Sequence, residues 1–242
     1  VSQEFFIVEV PSKAPEETEE MGTKEKFWFH DLNRELCLYK KSRPGTGEDW
    51  SEKIAAELCE LLGLPHADYE LATFENSRGT ISPCFLPKAG SLIPGNEVLA
   101  QLMSDYPSGS SNPSQHTISK VFQVIEKPTV NLPSGWVPPE GICTAADVFI
   151  GYILLDAWIG NTDRHHENWA FIRVEQQNYT AAQFRPEAAR IWLERLAMVS
   201  ATNTVDLFNR LPNERISPTA SKFARRILEI NQQRLLDCSG KL

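Results

Sequence analysis

Residues 144–172 constrain the fold more than any other part of this chain. Thr144–Ile159 is apolar almost throughout, with Val148, Ile150, Ile153, Leu154, Ala157 and Trp158 recurring near the helical period, so it predicts a buried helix. Gly160 stops that helix. Directly behind it stand Asn161-Thr162-Asp163-Arg164-His165-His166-Glu167-Asn168, and then an apolar run, Trp169-Ala170-Phe171-Ile172, that predicts a strand. A core helix with a polar cap would account for Asn161 and Thr162. It would not account for Asp, Arg, His and Asn crowded together ahead of a strand.

An Asp followed five positions later by an Asn, with Arg-His directly after the Asp, is the spacing of a phosphotransferase catalytic loop. In such a loop the Asp, here Asp163, accepts or orients the proton of the attacking hydroxyl. The amide oxygen of the Asn, here Asn168, holds a magnesium ion against the nucleotide phosphates. Arg164 and His165 are expected to order the loop by hydrogen bonding to backbone or to the Asp, and His166 and Glu167 to face solvent. This spacing predicts phosphoryl transfer from ATP, and it requires a nucleotide-binding lobe elsewhere in the chain.

Composition narrows the partners. The formal charge of −8 argues against binding along a nucleic-acid backbone and against docking on anionic lipid, since both want clustered Lys and Arg. It leaves room for a local basic pocket for ATP. The five cysteines are scattered and form no Cys-x-x-Cys pair, so buried, reduced thiols in a cytoplasmic protein are expected. No apolar stretch is long enough to suggest a membrane span or an opening signal peptide.

The N-terminal third reads as a small α+β lobe. Phe5–Val10, Lys26–Phe29 and Glu35–Lys40 predict strands, the last two joined through the turn-prone His30-Asp31-Leu32-Asn33. Residues 49–63 predict a helix capped by Asp49 or Ser51, with Ile54, Leu58, Leu61 and Leu62 on one face and Gly63 as its stop. Tyr69–Phe74 and Thr80–Leu86 predict a hairpin turning at Asn76-Ser77-Arg78-Gly79. Residues 104–119, rich in Ser, Pro, Gly and Asn, predict a flexible insertion. Helices are expected at Pro186–Val199, Val205–Leu211 and Pro218–Leu236.

Lys40 has a physical rationale as a phosphate ligand. An ammonium on a strand reaches phosphate oxygens, and a carboxylate from the next helix keeps it oriented. Lys41 would point to the opposite face, and a pair of plain surface lysines is the competing account. Arg43-Pro44-Gly45-Thr46-Gly47-Glu48 lacks the Gly-Lys-Ser/Thr ending of a Walker loop and reads as a turn into the helix. Ile81–Leu86, ending in Phe85 and Leu86, reads either as a hinge whose backbone pairs with the adenine edge or as an edge strand with Pro.

The motif Gly160-Asn161-x-Asp163-Arg164-His165-x-x-Asn168 resembles the catalytic loop of HipA-like serine/threonine kinases, a bacterial family related in fold to the phosphoinositide kinases. Gly22-Thr23-Lys24-Glu25-Lys26 is similar to that family's Gly-x-Gln-x-Lys phosphate-loop strand, with Lys24 in the Gln position. Leu38-Tyr39-Lys40 resembles its apolar-apolar-Lys strand. Ser51-Glu52 and the helix ending Leu61-Leu62-Gly63-Leu64 resemble the helix supplying the partner Glu. Trp192–Leu236 resembles the end of its helical lobe.

The resemblance implies a two-lobed α+β protein-kinase-like fold, with a small mixed lobe at 1–86 and a mostly helical lobe at 87–242. It implies ATP and Mg2+ as cofactors, with ATP held through Gly22, Lys24 or Lys26, Lys40 and Glu52. The acceptor would be a Ser or Thr on a protein. A toxin-like or regulatory role with an antitoxin or other regulatory partner would follow.

One departure stands out. A kinase of this type carries a second acidic metal ligand after the strand that follows the loop, but the next aspartate after Asp163 is Asp206, inside a predicted helix. Glu175 falls in a turn-like run. Asn178-Tyr179-Thr180-Ala181 then passes almost directly into the C-terminal helices. Two accounts compete: a mobile stretch is missing between Tyr179 and Thr180, or the chain truly lacks it and is a weak kinase or pseudokinase. The rival readings are therefore a phosphoinositide or other small-molecule kinase, which shares the Asp-Arg-His-x-x-Asn motif, and a non-catalytic nucleotide-binding module.

Overall fold

Strand alternation near the N-terminus puts Phe27, Phe29, Cys37 and Tyr39 on one face, and all four are buried. They belong to a sheet built from β1 (Ile7–Glu9), β2 (Glu17–Thr18), β3 (Lys26–His30), β4 (Leu36–Lys41), β5 (Glu70–Phe74) and β6 (Ser77–Pro83), in the order β1-β5-β6-β4-β3-β2. Every pair is antiparallel except β1 with β5. The structure is a computed structural model that describes residues 3–18, 25–33, 35–88, 90–109, 114–174 and 186–238. Phe27 and Tyr39 face each other across β3 and β4 with ring centroids 5.0 Å apart, beside Phe74 and Ile81.

The helix expected after β4 is α1 (Glu48–Leu62), closed by left-handed Gly63. Its start differs from expectation. Gly47 is the N-cap, with no side-chain capping bond. Asp49 is drawn into the core instead, and the Ser51 hydroxyl donates to the Glu48 carbonyl. The hairpin also turns earlier than predicted. Glu75 and Asn76, with φ of 47° and 63°, form a two-residue turn whose positive angles match the twist of the flanking strands, and β6 already begins at Ser77.

Gly79 lets β6 lie close to β4. A Cβ there would sit 2.4 Å from the Lys40 carbonyl oxygen and 2.8 Å from the Tyr39 ring. Since the first obstacle is backbone, Gly79→Ala is expected to cost about 1–3 kcal/mol, measured by denaturant unfolding.

A second unit comprises Leu86–Ala197 and Asn231–Leu242. It holds a two-stranded antiparallel sheet of β7 (Ser91–Pro94) and β8 (Ala170–Arg173), with α2 (Gly95–Leu102), α3 (Ile118–Ile125), α4 (Ala145–Ile159) and most of α5 (Pro186–Met198). The α4 helix is apolar on all sides, as predicted. Thr144 and Asp147 form a reciprocal capping box at its start, and left-handed Gly160 ends it. Trp192 on α5 is fully buried and donates from Nε1 to the Asp147 carbonyl at 2.7 Å. The expected loop at 104–119 is overtaken by α3, which starts at Ile118 behind a Thr117 cap.

The first unit comprises Val1–Phe85 and Met198–Ile230, so it includes α6 (Ala201–Asn209) and the first part of α7 (Pro218–Cys238). The sequence predicts a second lobe over 87–242, whereas 198–230 group with the first unit here. Arg215, in the loop between these helices, explains the difference. Its guanidinium donates to Asp49 at 3.0 Å, the Ala72 carbonyl at 3.1 Å and the Thr73 hydroxyl at 2.6 Å. Arg210 lies 4.0 Å over the Phe5 ring, and its carbonyl accepts from the Phe5 amide.

No disulfide joins the cysteines; Cys37 and Cys59 are buried as expected, whereas Cys143 and Cys238 are exposed. No helix among the described residues is long and apolar enough to cross a membrane.

Candidate active site

In the second unit, the end of α4 builds the loop. Gly160 reverses the chain so that the Asn161 amide reaches the Asp156 carbonyl at 2.8 Å. The Asn161 side chain then bonds in both directions. Its Nδ2 donates to Asp156 Oδ1 at 2.8 Å, and its Oδ1 accepts from the Asp163 amide at 3.0 Å. Arg164 closes the figure with two parallel bonds to the same carboxylate, Nε to Oδ2 and Nη2 to Oδ1. Asp156 is only 8% exposed, so it is a fixed post to which both flanks of Asp163 are tied. Sequence reasoning missed it. It was hidden inside a helix otherwise read as apolar, where an acid away from the capping Asp147 is itself the signal.

Asp163 and Asn168 are brought together. Asn168 Nδ2 donates to the Asp163 backbone carbonyl and, at 3.2 Å, to Asp163 Oδ2. His165 Nε2 lies 3.7 Å from Asp163 Oδ1, and the Asn168 amide donates to the His165 carbonyl at 2.9 Å. With its amide nitrogen bonded to Asp163, the side-chain oxygen of Asn168 is the atom that could hold a cation. Magnesium is held by one or two protein oxygens together with phosphates and water, and a carboxylate beside an amide oxygen fits that need. The Asp163 side chain is 81% exposed, so it is accessible from solvent.

His166 contradicts its expected place. It is completely buried, with Nδ1 2.8 Å from the Tyr106 hydroxyl. Its ring lies 5.9 Å from that of His116, whose Nε2 accepts from Trp169 Nε1 at 3.2 Å. Burial, then the nearby His166 and His165, lower the pKa of His116 from its ordinary value and so favour the neutral ring. Glu167 is exposed, as expected.

In the first unit, Lys40 on β4 forms an ion pair with Glu52 Oε1 on α1. The other Glu52 oxygen accepts from the Thr80 hydroxyl at 2.8 Å, and Thr80 is the cross-strand partner of Lys40. Thr80 was not singled out in the sequence. Lys41 points away and pairs with Glu25 at 2.7 Å, as strand alternation demands. Lys26 stands opposite Lys40 in the β3–β4 register. Phe85 is 54% exposed and Leu86 half-buried. Gly22 and Lys24, and likewise Glu175 and the Tyr179–Thr180 junction, lie outside the described residues. Asp206 is an exposed residue of α6 and belongs to the first unit, whereas the loop belongs to the second.

No protein-family model matches the chain, and no curated protein matches it in sequence. Solved structures do match. The Helicobacter pylori proinflammatory kinase CtkA is similar at a TM-score of 0.57 and 15% identity, over 92% of both chains. A chain of the Shewanella oneidensis MR-1 HipA, HipB and operator DNA complex is similar at 0.47 and 11% identity, over 96% of this chain and 66% of that one. A Golgi casein kinase is similar at 0.45 and 14% identity, over 94% and 74%. The likeness to CtkA spans nearly the whole of both chains and shows an α+β, kinase-like fold, in agreement with the resemblance to HipA-like kinases in the sequence motifs.

Proposed function

We propose that this chain is an ATP- and magnesium-dependent kinase that transfers the γ-phosphate to a Ser or Thr hydroxyl of a protein. The observation that carries the reading is the Asp163–Asn168 pair, hydrogen-bonded side by side on a loop tied to Asp156, in a chain of kinase-like fold. Asp163 offers an exposed carboxylate to the proton of the acceptor hydroxyl. Asn168 Oδ1 is the protein's ligand for magnesium, which when bound would neutralise charge on the phosphate oxygens. Lys40 holds the nucleotide phosphates, and Glu52, itself fixed by Thr80, keeps the Lys40 ammonium in place. Lys26, Gly22 and Lys24 are assigned to the same phosphates, and Phe85 and Leu86 to the adenine edge, by the family resemblance. A protein acceptor and a regulatory partner of antitoxin type rest on that resemblance too.

Labelled ATP with magnesium, with and without chelator, is the direct test. Phosphoserine or phosphothreonine on the chain itself or on added protein is the expected product. Label on phosphoinositide vesicles and none on protein would make it a lipid kinase instead. Lys40→Met is expected to lower transfer by roughly 10²–10³-fold, because phosphoryl transfer relies on positioning and on charge placed against the phosphates. Glu52→Gln should lose less, since the lysine remains. Equal activity in Lys40→Met and the parent protein would remove Lys40 from the site.

A second reading has its own observation: no aspartate follows Asp163 until Asp206. A pseudokinase would bind ATP without needing magnesium. A thermal-shift titration with ATP, with and without the metal, separates the two.

A further inference from the structure

His166 is three residues after Asp163 and two before Asn168, and it is the only buried residue from Asn161 to Asn168. Its ring bonds through Nδ1 to the hydroxyl of Tyr106, a residue only 7% exposed. Its backbone carbonyl accepts from the Asn96 amide at 2.9 Å, and the Trp169 carbonyl accepts from the Gly95 amide at the same distance. The first turn of α2 is thus stitched to the back of the loop. The fit is close: a Cβ on Gly95 would come within 2.6 Å of the His166 carbonyl oxygen and 2.2 Å of the Trp169 ring.

We propose that His166 and Tyr106 form a rear strut that sets the separation of Asp163 and Asn168, making both of them positioning residues. The proposal rests on the kinase reading of the loop. Asp163, Glu167 and Asn168 are all exposed, and each long or polar side chain held in one geometry in water gives up rotamer freedom. The hydrogen bonds between Asn168 and Asp163 are solvent-exposed and cannot hold that geometry alone. Arg164 on Asp156 secures the stretch beside Asp163. The stretch leading to Asn168 is secured by His166, through one side-chain bond to buried Tyr106 and one backbone bond to the half-buried Asn96. A geometry that must hold to a fraction of an ångström needs both braces.

The test uses His166→Leu, His166→Asn and Tyr106→Phe in the full chain. An Asn amide occupies nearly the place of the imidazole Nδ1 and keeps a bond to Tyr106; Leu and Phe do not. Tyr106→Phe and His166→Leu are expected to lower kcat about tenfold or more, with KM for ATP within threefold. The double variant should be no worse than the worse single, and His166→Asn should recover most of the loss.

Hydrogen exchange at the amides of residues 163–168 should rise in His166→Leu and Tyr106→Phe, with exchange elsewhere unchanged. This readout needs no activity, so it still judges the strut if the parent protein transfers no phosphate. Unchanged exchange across the loop, additive losses in the double variant, or a His166→Asn variant as impaired as His166→Leu would each overturn the proposal.

Discussion

Asp163→Asn should lower phosphoryl transfer by roughly 10²–10⁴-fold, the usual contribution of a positioned proton acceptor. The substitution keeps the size and the hydrogen-bonding reach of the side chain, so contact with Asn168 survives, but an amide takes up no proton at neutral pH. At 81% exposure the carboxylate supports little of the fold, and the unfolding free energy should move by no more than about 0.5 kcal/mol. Single-turnover transfer from labelled ATP, beside a urea titration of the same preparation, checks both halves. A large fall in stability would mean that lost activity reported unfolding. Full activity in a well-folded Asp163→Asn protein would end the assignment of the loop.

The largest expected effect on stability lies at Arg215. Its side chain and that of Asp49 are 2% and 3% exposed, and the guanidinium also serves the Ala72 carbonyl and the Thr73 hydroxyl. Arg215→Met keeps most of the apolar stem but leaves a carboxylate and a carbonyl in the interior without their donor. Removing one partner of such a pair costs roughly 3–5 kcal/mol, a large share of the roughly 5–15 kcal/mol by which a domain is stable. Exchanging both, Arg215→Met with Asp49→Leu, should return much of the loss, because the stranded charge goes with its partner. Denaturant midpoints of the three variants decide it. If the double variant is as unstable as the single, the penalty comes from packing and from the Ala72 and Thr73 contacts rather than from the unpaired acid.

The parts of this fold that could be read from the chain are those where local chemistry and tertiary demand agree. The α4 helix announced itself by its apolar period, its Thr144 cap and its Gly160 stop, and β3 and β4 by alternation that the sheet then used. Lys40 and Glu52 were singled out through the resemblance to HipA-like kinases, and the two side chains do form an ion pair. What escaped depended on distant partners. Asp49 looked like a helix cap, and nothing near it in sequence revealed Arg215. His166, beside His165 and Glu167, looked like one more solvated polar residue. Its burial is decided by Tyr106 and Asn96, sixty and seventy positions earlier. Buried polar groups take their partners from anywhere in the chain, so their fate is the least local property a sequence has.

The discontinuity of the first unit bears on how this protein is made. A ribosome delivers β1–β6 and α1 first, yet Arg215, the cation that neutralises Asp49, emerges only after the whole of α2–α6 has been synthesised. Domains normally fold in the order of their translation. Here β1–β6 and α1 must wait, partly assembled and with an acid in their interior, and the second unit in turn lacks its share of α7 until the residues from Asn231 onward emerge. The nascent chain is thus vulnerable in the sheet around Asp49 until Arg215 arrives, and that is where a chaperone would be needed.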